Sequence, residues 1–281
     1  MKRVILLILL SSVVLDTVSA QDILFPYREN FAWQVKQIDE FMDRFNNADY
    51  TPIRRYLKEE YNLEEVSRSD IIRSLFNLDN SEWKQEEVVQ FLSQVNDSLP
   101  PPYLDFYDDD WYAELDCKGV YQGDTVNFIM VLSLENSEKP KGSRWVINGV
   151  QGDFLPTDTV ALAFAMDADY DVSKTLNPAS FGTDFMALVD ALKDTANLEG
   201  YIAPQNINRP LVSLLNQLYL RNLIFKQVNH ITYHFLQIKD WIFQVQDFRR
   251  QSTNSGWLIN SLMSVSEEEK DLYREQVLYL P

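Results

Sequence analysis

Apolar side chains recur at helical spacing through the first hundred residues and at alternate positions afterwards. Phe31, Val35, Ile38, Met42 and Phe45 predict a helix over 29–46. Thr51-Pro52 reads as a cap with proline in the first turn, followed by Ile53, Tyr56 and Leu57. Ser67 or Ser69 opens a third helix with Ile71, Ile72, Leu75 and Phe76 on its face. Asp79 and Glu82 stand at capping-box spacing before a fourth, running through Trp83, Val88, Leu92 and Val95. Pro100-Pro101-Pro102 ends this region, because proline cannot continue a helix.

The period then becomes two. Trp111, Ala113, Leu115 and Cys117 alternate with Tyr112, Glu114, Asp116 and Lys118, and Gln122-Gly123-Asp124 reads as a turn. Strands follow over 125–135 and 144–150, the first apolar enough on both sides to be covered on both faces. Residues 151–182 fit strand and helix alike. Thr183 reads as a cap for a helix through Phe185, Leu188, Val189 and Leu192, and Asn208 and Pro210 open another through Leu211, Leu214, Leu215 and Leu218. Strand character returns over 223–237, 240–249 and 256–264, and Ser266 with Glu269 forms a capping box for a last helix carrying Leu272 and Val277.

The order is therefore helices, three strands, helices, three strands. Ser143-Arg144-Trp145-Val146-Ile147-Asn148 resembles Ser255-Gly256-Trp257-Leu258-Ile259-Asn260, and Ala48-Asp49-Tyr50 resembles Ala168-Asp169-Tyr170. A duplication and a chance likeness of strand motifs both fit these short matches. The expected fold class is α+β, with helices packed on curved antiparallel sheets in two related helix-then-meander halves, 21–155 and 156–281. This order resembles nuclear-transport-factor-like and cystatin-like α+β domains, in which a curved sheet wraps around helices. The resemblance is at fold level, and that group holds enzymes and non-enzymes alike, so it implies no activity.

The leader changes the picture of location. Lys2 and Arg3, the apolar run Val4–Leu10 and the small residues Val18-Ser19-Ala20 read as a signal peptide over 1–20, cut after Ala20. Ser11, Ser12 and Asp16 break the run short of the ~20 apolar residues a span needs, and Gln21 stands where a lipid anchor needs cysteine. A periplasmic or secreted protein without a membrane span is expected.

Composition narrows the chemistry. With 42 acidic and 25 basic residues, net charge −17, the chain is set to repel nucleic acid and attract cationic partners. Eight glycines disfavour glycine-rich phosphate loops, and one cysteine excludes an internal disulfide. His230 and His234 are the only histidines. On a strand they share a face about 13 Å apart, too far for one metal. Glu114 and Asp116, with His230 and His234 on a neighbouring strand, are the candidate acid–base groups, although any strand with one exposed face shows carboxylates at that spacing. Asp167, Asp169 and Asp171 open like a calcium loop, but Val172 and Pro178 occupy its diagnostic glycine and glutamate positions. Tyr107, Asp108, Asp109, Asp110 and Trp111 form a candidate binding rim, and Trp145 and Trp257 are candidate stacking platforms whose alternating pattern suits a core equally. No metal and no cofactor are expected. The leading expectation is a non-catalytic binding or interaction protein for an unknown small molecule or protein. The alternatives are a hydrolase or isomerase with its pocket on the sheet, and a structural component of a cell-envelope assembly.

Overall fold

The structure, a computed structural model, describes residues 29–138, 141–156, 174–202 and 207–280. Residues 1–20, read above as a signal peptide, and the Asp167–Asp171 run lie outside these. The fold is α+β. Six antiparallel strands form one sheet: β1 (Trp111–Tyr121), β2 (Asp124–Glu138), β3 (Lys141–Gln151), β4 (Leu223–Phe235), β5 (Trp241–Phe248) and β6 (Gly256–Ser264), in the order β3-β2-β1-β4-β5-β6. Each sequence-predicted meander is present, and the two join edge to edge through β1 and β4.

The two meanders match in register. One row crosses the whole sheet: Ile147, Leu132, Ala113, Tyr233, Val245 and Ile259 are successive cross-strand partners. Counting outward from the Ala113–Tyr233 pair gives the same order of strands on both sides. Each meander also bulges at the same place. Asn148 is skipped between Ile147 and Gly149, and Asn260 between Ile259 and Ser261. The asparagine that closes each S-x-W-x-I-N sequence is thus the extra residue of its strand. Trp145 and Trp257 both face the helix-covered core.

The helices cross over. The N-terminal set comprises α1 (Ile38–Phe45), α2 (Pro52–Tyr61), α3 (Arg68–Ser74) and α4 (Gln85–Asp97). It packs on the second meander: Phe91 meets Trp241 and Phe243, Phe45 stacks on Phe243, and Ile259 bonds through its backbone to Leu75 and Asn77. The second set comprises α5 (Ala187–Ala191), α6 (Arg209–Tyr219) and two short 3-10 turns, Pro178–Thr183 and Leu198–Tyr201. It packs on the first meander: Trp145 donates its backbone N–H to Leu176 and its indole N–H to Pro178, and Arg144 donates to the Gly200 carbonyl. A last helix, α7 (Glu267–Gln276), and the tail to Leu280 cover part of the opposite face, burying Tyr112, Val131 and Ile242. That is why the second strand reads as apolar on both sides.

Three sequence expectations change. The helix predicted over 29–46 breaks after residue 33, because Val35 pairs through both its backbone groups with Ser255 and Trp257. The buried Arg44 holds the break by donating to the carbonyls of Ala32, Trp33 and Gln34 at 2.7–2.8 Å. The Asp79–Glu82 box does not form: Asp79 pairs with Arg250, and α4 begins only after Lys84. Leu272 is exposed, and the buried side chain of α7 is Lys270, whose ammonium donates to the Leu236 and Ile238 carbonyls. The Ser266–Glu269 capping box and the Asn208 cap are present.

Candidate functional site

Glu114 and His234 come together on the sheet face under α7, on neighbouring strands. Glu114 Oε2 lies 3.5 Å from His234 Nε2, and the other ring nitrogen lies 2.7 Å from the Tyr273 hydroxyl. Gln244 also donates to that hydroxyl. His234 is 1% exposed and roofed by Tyr273, whose ionisation burial pushes up to about 12. The remaining two acid–base candidates separate from this pair. Asp116 and His230 are cross-strand partners on the far side of Thr232, with His230 exposed. The four predicted groups therefore do not converge on one pocket, and the pair that does meet is closed over by a helix.

The acidic rim is tied up internally. Asp108 accepts the Asp110 N–H, and burial raises the Asp108 carboxyl above its ordinary range. Asp110 pairs with Arg274 of α7 at 2.7 Å. Asp109 and Asp110 line a cavity of about 380 Å³ with Glu135 and Asn148, while Asn136 reaches the Tyr107 carbonyl. Trp111 and Trp145 are fully buried and pack edge to face, so neither offers a ring to a surface ligand. Cys117 is buried, and desolvation holds its thiol well above its usual range, leaving a small apolar group. Among the described residues no group of three or more His, Cys, Asp and Glu side chains is placed to hold a metal.

A further polar cleft arises where the sheet forks. β4 and β5 pair only from Thr232 to Phe235. Before Thr232, β4 continues with β1, and beyond Gln246, β5 continues with β6. The strands part around a cleft of about 380 Å³. His230 and Trp257 line it, and so do three residues that the sequence reading missed: Asp184, Asp247 and Arg249. Arg249 lies 2.7 Å from Asp247 and 3.6 Å from Asp184, and Asp247 chiefly raises the guanidinium above its ordinary value. Asn229, the extra residue of a bulge in β4, adds an amide to the lining. Bulges re-aim side chains beside binding sites. Asp184 itself holds a left-handed backbone, φ 50°. The cleft thus offers two carboxylates, a guanidinium, an imidazole, an amide and an indole edge. It can accept hydrogen bonds from a cationic or donor-rich ligand. No sequence motif marks it, because its groups come from four separate segments and meet only through the fork.

No family model, curated protein or solved structure matches the chain.

Proposed function

We propose that this is an exported, non-catalytic binding protein that takes a small ligand bearing an amine or another cationic donor in the fork cleft. The two halves, 21–155 and 156–281, belong to the same reading as a tandem pair that builds one sheet. The observation that carries it is the parting of β4 from β5, which leaves Asp184 and Asp247 facing a common space. An amine there would share the carboxylates with Arg249. The net negative charge of the chain would favour its approach. The alternative, a hydrolase or isomerase, draws on the Glu114–His234 contact, but His234 is buried beneath α7, with Nδ1 on the Tyr273 hydroxyl and Nε2, which has no hydrogen bond, 3.5 Å from Glu114.

Thermal-shift and calorimetric titration with a panel of small amines, amino acids and amino sugars tests the reading. At least one amine should bind, and binding should weaken as salt rises. Asp184→Asn together with Asp247→Asn should lower that affinity at least tenfold. Equal binding by the double variant, or no binding across the panel, would overturn it. Export is tested by mass spectrometry of extracellular or periplasmic material, which should give Gln21 as the first residue.

A further inference from the structure

A third cavity, of about 300 Å³, opens where α6 hands the chain to β4. Its floor is apolar: Leu192, Leu218, Leu223 and Phe225. Its rim carries Lys193 and Arg221, and no carboxylate belongs to the lining. In a chain with 42 acidic and 25 basic residues, a cavity bounded by two cations alone departs from the average surface. Lys193 is shared with the exposed Asp190 at 3.1 Å. Arg221 is exposed, and among the described residues its guanidinium has no hydrogen bond or ion pair. Its backbone is left-handed, φ 58°, at the position after a helix end where glycine is usual. Such a conformation is strained in a residue with a side chain. Ile224, 45% exposed, stands at the mouth, and the neighbouring Tyr219 and Leu220 are exposed as well.

We infer that this cavity binds an amphipathic anion, specifically a free carboxylate on a short or medium alkyl chain. The chain would lie on the leucine and phenylalanine floor, and the carboxylate would meet Arg221 and Lys193. A volume near 300 Å³ is at the lower end of small-ligand sites, which suits one unbranched chain rather than a ring system. The guanidinium fork matches a carboxylate in geometry as well as charge. This site shares no lining residue with the fork cleft, so the two readings stand or fall separately.

The test is calorimetry with straight-chain carboxylates from hexanoate upward, kept below micelle-forming concentrations, with the matching n-alkanols as neutral controls. Affinity should rise about fourfold per added methylene until the cavity is full, then level off. Arg221→Gln should weaken carboxylate binding about tenfold and leave alkanol binding unchanged. Ile224→Glu, which puts a negative charge at the mouth, should weaken the carboxylates more than the alkanols. Asp184→Asn with Asp247→Asn should leave octanoate binding intact. A missing chain-length dependence would overturn the inference, as would equal carboxylate affinity in Arg221→Gln. Association with anionic phospholipid vesicles but not with monomeric carboxylate would assign the surface to a membrane instead and would equally overturn it.

Discussion

At the scale of single residues, backbone proximity decides more than side-chain chemistry. Gly256 has φ 84°, and a Cβ placed on it would fall 1.9 Å from the Val35 carbonyl oxygen. The S-x-W-x-I-N sequence that carries arginine here in the first meander carries glycine in the second, where the Val35 carbonyl leaves no room for a Cβ. Gly256→Ala should cost about 2–4 kcal/mol, from left-handed strain and from displacement of the Val35 segment. A urea midpoint shift at unchanged slope measures it. His234 gives a smaller effect. Glutamine at this position keeps a donor near Tyr273, so His234→Gln should change stability by about 1 kcal/mol. Loss of several kcal/mol would show that the Glu114 contact matters more than its 3.5 Å separation suggests.

At the scale of elements, α7 is a latch across the hairpin between β4 and β5. Lys270 holds the hairpin carbonyls, Arg274 pairs with Asp110, and Tyr273 roofs His234. The tyrosine makes the latch sensitive to alkali. Its folded pKa of about 12 lies above its ordinary value of 10.0, so folding favours the neutral form. That contribution is complete below pH 10 and disappears as pH rises toward 12. Wild-type stability should therefore fall between pH 10 and 12 more steeply than that of Tyr273→Phe, as read from urea midpoints at pH 9 and pH 12. Identical slopes would place Tyr273 outside the alkaline transition. The six strands and the caps of α6 and α7 were legible in the sequence, because alternation and capping are local. The break at Val35 and the absent Asp79–Glu82 box were not. Each is imposed by a partner far along the chain, the Ser255–Trp257 backbone in one case and Arg250 in the other. The fork was hidden for the same reason: a strand pattern shows which residues alternate, not where a neighbouring strand lets go. Glu114 and His234 were legible as candidates, whereas Asp184, Asp247 and Arg249 carried no local signal.

At the scale of the molecule, the register-matched row makes the halves interdependent. Ile147 and Ile259 stand at its two ends, each fully buried. Alanine at either position should cost about 2–5 kcal/mol. Both variants should unfold in a single transition by near- and far-ultraviolet circular dichroism. Two separate transitions would show that each half holds a core of its own.

The crossed helices also set an order of events. Trp241 bonds to Gln94 and Asn260 to Asn77, so the first helices find their cover only near the end of the chain. During synthesis the order of emergence is the reverse of the order of burial. A nascent chain lacking the last two strands holds Phe41, Phe45 and Phe91 without Phe243, the ring on which all three pack. Such long-range closure slows folding and lengthens the time for which sticky aromatic rings are open to other chains. The architecture that joins the halves in the finished protein thus leaves the growing one dependent on whatever shields its N-terminal helices until the last strand arrives.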